Sequence, residues 1–181
     1  MAKQDIAAIW HDIERWLARH APDRKAELND GADDAALAAL AKLVGHDLPA
    51  DYAASLRLHN GTANLTSYIY NDTVSVAARW EARKPLENDK RTIHDPDAGI
   101  IKPRWWSPAW LPFAEDSEGN LLCLDLDPAP KGKVGQVLIW EMSMGPGLAG
   151  FGSFGDWLAD YRDGLKGGRF VVDDSGYIYE K

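Results

Sequence analysis

The sequence predicts an α+β fold in which helices flank a mostly antiparallel sheet. Segments with helical periodicity fill the first half of the chain, strand-like segments are concentrated at 111–140, and a further helical segment follows. Strands that succeed one another through short turns pair most simply as an antiparallel meander. This separation of helices from strands is typical of α+β proteins, and 181 residues suit one domain.

The predicted meander is the centre of the fold. Strands are expected at 111–114, 121–126 and 134–140, because apolar runs there are bounded by turn residues. An acidic turn at 116–120 joins the first two strands, and a loop rich in Pro, Gly and Lys joins the last two. Leucine occupies every second position of the middle strand, so the leucines and the residues between them lie on opposite faces.

Four helices are predicted ahead of the meander, because apolar residues recur there every three or four positions. Asp33 suits an N-cap, Gly45 suits a left-handed stop, and Pro49 suits the first turn of a helix. The predicted helices are 5–19, 33–44, 49–59 and one that Thr73 caps.

The other segments are assigned from their caps, glycines and prolines. A polar linker is expected at 22–31 and a long charged loop at 84–104, where no apolar period is found. The remaining predictions are a strand at 65–70, a glycine-rich loop at 145–152, a helix from the cap Ser153 to 167–168, and a terminal hairpin of 170–172 with 177–179.

Composition excludes several classes of function. The formal net charge is -8 and no cluster of Lys or Arg is found, so we expect no direct binding to nucleic acid. No apolar run is long enough to span a membrane, and the first residues lack the apolar core of a signal peptide. A single cysteine, Cys123, excludes an internal disulfide. A cytoplasmic location is therefore expected.

Two motifs resemble ligand sites. Gly145, Gly147 and Gly150 form a GxGxxG pattern, but the following helix begins only at Ser153 and Pro146 lacks an amide hydrogen, so we expect no nucleotide there. Residues 116–120 resemble the start of a calcium loop without its glycine and glutamate positions, and a tight turn explains them better.

Two pairs of side chains, one at the end of the middle strand and one before the meander, each have two possible interpretations. Asp125 and Asp127 could serve acid–base or metal chemistry, although a solvated strand edge is favoured. Trp105 and Trp106 could form an exposed recognition patch or seal the preceding loop against the sheet. The histidines lack zinc-site spacing. We therefore predict no metal, no cofactor and no catalytic set, and hence a binding protein rather than an enzyme.

A set of ordered segments carries a resemblance to a known family. Leu-Pro-Ala-Asp-Tyr at 48–52 is followed by Leu-Arg-Leu-His-Asn-Gly at 56–61, and the strand, acidic glycine turn and strand at 111–126 continue into 132–137. A serine-capped helix with aromatic residues begins at 153. Together these segments resemble the SUKH superfamily, which includes the fungal Smi/Knr cell-wall assembly regulators.

The resemblance implies one SUKH-like domain over 1–181, with the strongest match at 48–165 and N-terminal helices in 1–45. It implies a curved antiparallel sheet and function through protein binding. We expect an immunity protein that neutralises a partner toxin, such as a basic nuclease; the alternative is a regulatory scaffold in cell-wall assembly or signalling. The predicted protein-binding residues are Trp105, Trp106, Asp116, Glu118, Asp125 and Asp127.

Overall fold

The helices of the protein lie mostly before the sheet, as the sequence predicts. A computed structural model describes residues 4–62, 65–91 and 99–181. None of the helices in this part of the chain combines the length and the apolar character that a membrane span requires. The helices are α1 (Ile6–His20), α2 (Pro22–Ala26), α3 (Asp34–Val44), α4 (Ala50–Leu58), α5 (Thr73–Arg83), a 3-10 helix (Lys84–Asn88) and α6 (Phe154–Gly167).

Seven strands form two antiparallel sheets in the described residues. A five-stranded open sheet has its strands in chain order, and a separate hairpin follows α6. The α+β fold with helices flanking the sheet is thereby confirmed. The strands are β1 (Tyr68–Tyr70), β2 (Trp110–Asp116), β3 (Leu121–Asp125), β4 (Gln136–Glu141), β5 (Gly145–Leu148), β6 (Phe170–Val172) and β7 (Ile178–Glu180).

Local signals explain most of the element boundaries. Asp33 and Ser153 cap α3 and α6 by accepting hydrogen bonds from the amides of Ala36 and Asp156. Gly45 ends α3 with a φ of 73°, in the left-handed region that glycine adopts without a steric penalty. Caps and stops of this kind act within a few residues, which is why the sequence predicts them well.

Four local predictions differ from the structure. Residues 145–148 of the predicted glycine-rich loop form the edge strand β5. Proline is tolerated at position 146 because an edge strand can turn a position that lacks an N–H towards solvent. The predicted linker at 22–31 contains α2, which begins at a proline. Asp72, not Thr73, caps α5. The predicted loop at 84–104 begins with the 3-10 helix, and its residues 92–98 lie outside the described residues.

Strand β3 is buried on both of its faces. Each of its residues is at most 5% exposed, and β2 and β4 pair with it on either side. One face of the sheet packs on α6, which in turn packs on α1 and α4. On the opposite face α5 packs on β2, and Trp140 contacts the rings of Trp105 and Trp106.

A buried hydrogen-bond network joins the helices to the sheet. The indole N–H of Trp10 in α1 donates to Ser55 Oγ in α4 at 2.8 Å. The same Ser55 oxygen lies 3.1 Å from the hydroxyl of Tyr70 in β1. All three residues are buried, and burial raises the pKa of Tyr70. Ser55 thus connects three elements that are distant in sequence.

Replacing Ser55 with alanine tests this network. The change leaves the Trp10 N–H and the Tyr70 hydroxyl without their shared buried partner, so the free energy of unfolding should fall by about 1–3 kcal/mol. Urea unfolding followed by tryptophan fluorescence measures the loss. Ser143→Ala, at an exposed turn position, is the matched control and should change stability little. Equal stability of the two variants would contradict the proposed role of Ser55.

Candidate protein-binding surface

The predicted acidic contact residues do not share one surface. Asp116 and Glu118 lie in the turn between β2 and β3, whereas Asp125 and Asp127 lie at the opposite end of β3. A strand advances about 3.3 Å per residue, so the two groups are separated by roughly the 15 Å length of β3. The four carboxylates therefore cannot form a single acidic patch.

Trp105 and Trp106 are interior residues. They are 4% and 0% exposed, respectively. The backbone carbonyl of Trp105 accepts a hydrogen bond of 2.7 Å from the indole N–H of Trp140. Their rings pack edge-to-face on Trp140, and Trp106 also contacts Trp110. The pair seals the segment before β2 against the sheet, which corrects the expectation that it belongs to an exposed contact surface.

Asp125 is also interior, which corrects both its assignment as a contact residue and the interpretation as a solvated edge. Its carboxylate accepts hydrogen bonds from Gln136 Nε2 at 3.0 Å and from the amide of Asp127 at 3.2 Å. Gln136 Nε2 also donates to the carbonyl of Ile100. Burial raises the pKa of Asp125. This carboxylate therefore serves to hold the Ile100 segment against β3 and β4.

Asp127 is exposed and forms an ion pair with Lys102. The hydrogen bond from Lys102 lowers the pKa of Asp127. Two neighbouring carboxylates thus have pKa values shifted in opposite directions by different surroundings. The two carboxylates accept hydrogen bonds from different side chains, Gln136 and Lys102, and in the described residues no group of three or more His, Cys, Asp or Glu is arranged to hold a metal.

The opposed shifts at Asp125 and Asp127 predict opposed pH effects on stability. A carboxyl group whose pKa is raised on folding binds its proton more tightly in the folded state, so its contribution is greatest below the unfolded pKa of about 3.9 and declines as pH rises through the folded value. Asp125→Asn should remove this decline. We expect the stability of the variant relative to wild type to increase between pH 4 and pH 7, measured by urea unfolding.

Asp127→Asn is the matched control for that experiment. The pKa of Asp127 is lowered on folding, so its contribution is present above the unfolded pKa and is lost as pH falls. Relative to wild type, this variant should therefore stay level between pH 4 and pH 7 and gain stability only as pH falls below the unfolded pKa of about 3.9. Parallel pH profiles for the two variants would show that burial of Asp125 does not govern its titration.

The end of the sheet that carries Asp116 and Glu118 has a well-defined turn. Asp116 Oδ1 accepts hydrogen bonds from the amides of Glu118 and Asn120, both at 2.9 Å, and Oδ2 accepts one from the Asn120 side chain. Gly119 has a φ of 81°. The predicted tight turn is confirmed, and the carboxylate of Asp116 is engaged within it.

A second turn lies beside the first one. The Asn120 side-chain oxygen lies 3.4 Å from the amide of Met142, in the turn between β4 and β5. The side chains of Met142 and Met144 extend into solvent, with 57% and 65% of their surface exposed. We call the exposed side chains of these adjoining turns, Glu118, Met142 and Met144, the two-turn surface.

Buried aromatic residues support the two-turn surface from behind. The guanidinium of Arg83 lies 5.4 Å from the Trp140 ring and donates a hydrogen bond to the carbonyl of Gly119. Gly145 has a φ of 84° and lies against Trp105 so closely that a Cβ would come within 3.0 Å of its ring. The turns are therefore held in place while the methionines remain free to adapt, and methionine is common on adaptable binding surfaces.

Sequence reasoning missed Met142 and Met144. The one available signal was a pair of apolar side chains between a strong strand and a glycine, at positions where a turn is usually polar. Of the six predicted contact residues, Glu118 belongs to this surface and Asp116 shapes it. Their role in binding stays a prediction. The surface offers apolar and acidic groups together, which suits a partner with apolar and basic side chains.

Comparisons with known proteins place this fold in context. A model of the SMI1 / KNR4 family (SUKH-1) matches residues 31–160, well over half of the chain. The matched segment contains the five-stranded sheet and both turns of the two-turn surface. The resemblance seen in the sequence is thereby confirmed.

Several fungal proteins are similar to this chain over nearly its full length. A glucan synthesis regulatory protein of Neurospora crassa is 23% identical over 212 residues, covering 93% of this chain and 40% of that protein. The cell wall assembly regulator SMI1 of Saccharomyces cerevisiae is 22% identical over 210 residues, covering 92% and 42%. The chain thus spans about two fifths of the length of these relatives.

Proposed function

The chain belongs to the SMI1 / KNR4 family (SUKH-1), and on that basis we propose that it is a regulator of cell-wall assembly that acts by binding other proteins. The names of its relatives support the wall assignment: one regulates glucan synthesis, one regulates cell wall assembly, and a third, from Schizosaccharomyces pombe, is a cell wall biosynthesis and cell cycle regulator. The alternative drawn from the sequence is therefore preferred to toxin immunity.

The observation that carries the binding role is the two-turn surface. It places two exposed methionines on the turn that adjoins the turn of Glu118, and well-supported anchors contribute most of the energy of protein interfaces. Groups that could serve chemistry have other uses. Asp125 is bonded to Gln136, Asp116 is bonded within its turn, and burial raises the pKa of the Cys123 thiol, which keeps it protonated.

The charge of the chain favours a basic partner. A formal net charge of -8 creates a negative potential that accelerates encounter with a positively charged protein and weakens as salt screens it. Methionine side chains then supply the short-range apolar contact. The proposed partner is therefore a protein that presents apolar side chains within a basic rim.

Toxin immunity is the second candidate function. The acidic charge and the family resemblance favour it, since a basic nuclease would meet the same surface. The relatives named above are wall and glucan regulators, so this role stays a prediction. The two roles differ in the phenotype of a deletion strain: loss of an immunity protein is harmful only when its toxin is present, whereas loss of a wall regulator alters tolerance of wall stress by itself.

Replacement of both methionines by lysine tests the proposed surface. In Met142→Lys/Met144→Lys, the apolar anchors are lost and the new positive charges repel the basic rim of the proposed partner, so affinity for the natural partner should fall by about tenfold or more. Affinity purification from the host with wild-type and variant protein would measure partner recovery. In a deletion strain, the wild-type gene should restore growth on a wall-perturbing dye, and the double variant should not.

Val134→Lys is the matched control. Val134 is 65% exposed, as Met144 is, but it lies in the loop between β3 and β4, at the other end of the sheet. This variant should retain the partner and restore growth. Normal tolerance of wall stress in the deletion strain would argue against wall regulation, and full partner binding by the double methionine variant would argue against the two-turn surface.

A further inference from the structure

A groove of about 670 Å³ lies between the C-terminal ends of α1 and α6 and strand β6. It shares no residue with the two-turn surface and lies outside the segment that the family model matches. Its floor and walls combine aromatic, aliphatic and basic side chains. They come from Trp16, Arg19, His20, Leu165, Lys166, Gly168, Phe170, Val171 and Val172.

The groove has an apolar floor that is already organised. Leu165 and Phe170 are buried, and the ring of Phe170 packs edge-to-face on Tyr161. Trp16 is half-buried, and its ring stacks on the His20 ring with 4.4 Å between centroids. An aromatic ring held in one orientation loses little entropy when a ligand covers it, which favours binding.

The charged side chains that line the groove are all basic, although the chain as a whole is acidic. Lys166 Nζ lies 3.2 Å from a carboxylate oxygen of Asp12 in α1. Among the described residues, Arg19 is not within ion-pair distance of any carboxylate. Arg19 and His20 also suit the negative end of the α1 dipole, which accounts for part of their placement but leaves the Arg19 charge unneutralised.

Strand β6 turns an unpaired edge away from β7. The amides of Asp173 and Lys181 donate to the carbonyls of Tyr177 and Arg169, which identifies hydrogen-bonded pairs at both ends of the hairpin. Such pairs alternate along an antiparallel ladder, so Val171 also bonds to its partner in β7, and the backbone groups of Phe170 and Val172 point outward. No other strand covers this edge in the described part of the chain.

We propose that this groove binds an extended acidic peptide segment of a partner protein, which pairs with β6 as a third strand. An open edge with unpaired N–H and C=O groups recognises extended peptides through main-chain hydrogen bonds, and neighbouring side chains provide the selectivity. Here the selectivity comes from the Trp16 and Val171 surfaces for apolar residues and from Arg19 and Lys166 for carboxylates.

Titration with model peptides tests this site on the whole chain. The probe is an eight-residue peptide of alternating Val and Glu, added to 15N-labelled protein and followed by amide chemical shifts. Saturable shifts should be confined to β6 and the end of α1. A Val and Lys peptide of the same pattern should bind at least about tenfold more weakly, because it brings like charges to the basic rim.

Backbone pairing has its own test. The same Val and Glu peptide with every amide nitrogen methylated cannot donate to a strand, so it should not bind. The protein is the same in both titrations, so a change in its folding cannot explain a difference in binding. Equal binding of the methylated peptide would overturn strand addition, and absence of saturable binding by the unmethylated peptide would overturn the site.

A pair of matched variants tests the charges. Arg19→Gln/Lys166→Gln should weaken the Val and Glu peptide about three- to tenfold, whereas Lys131→Gln/Lys133→Gln, which removes the same charge from the exposed loop before β4, should not. An equal loss of affinity in both variants would mean that only the net charge of the protein matters, and it would overturn the assignment of Arg19 and Lys166.

Sedimentation of the free protein gives a further check. A dimer that the peptide disrupts would identify a second copy of the chain as the occupant of the groove instead.

Discussion

The burial of β3 on both faces is the constraint on which the rest of the structure depends. A strand whose five residues are all interior needs a covering layer on each side, because neither face can be left to water. The helices α1, α4 and α6 provide one layer, and the Ser55 network ties two of them to the edge strand β1. The tryptophans at 105 and 106, with α5, provide the other. The single charged residue in β3, Asp125, is accommodated because Gln136 and a backbone amide satisfy its oxygens.

The same constraint decides where binding can occur. Since both faces of the central strands are covered, the side chains of the meander reach solvent chiefly at the turns. At one end the turns of 116–120 and 141–145 adjoin each other and rest on Trp105, Trp140 and Arg83. The side chains of Glu118, Met142 and Met144 at the tips are exposed, so substitutions there should disturb the fold little. The proposed two-turn surface can therefore be altered by mutation separately from the aromatic support behind it.

Signals that act over a few residues made much of the fold predictable. The meander, the Ser153 cap, the Gly45 stop and the 116–120 turn each depend on neighbours in sequence, and the structure shows all of them. The candidate site was harder to predict. Whether Trp105, Trp106 and Asp125 face solvent is decided by β4 and α5, which are distant in sequence, and period-two alternation gives no information about a strand that is covered on both sides. Strand β5 escaped prediction for a related reason: glycine and proline have little strand preference, and pairing with β4 overrides it.

The two proposed sites have opposite charge, and this difference bears on how a small regulator could act. The two-turn surface combines methionines with Glu118 and suits a basic partner, whereas the groove at β6 combines Trp16 with Arg19 and Lys166 and suits an acidic segment. Ligands of opposite charge are poor competitors for each other's site, because each meets like charges at the wrong one. A chain with two such sites can hold two proteins at once, and linkage of two partners raises their effective concentration without any catalytic step. Regulation by binding then requires only that one of the two contacts be adjustable, and the charge-dependent part of each contact weakens as the salt concentration rises.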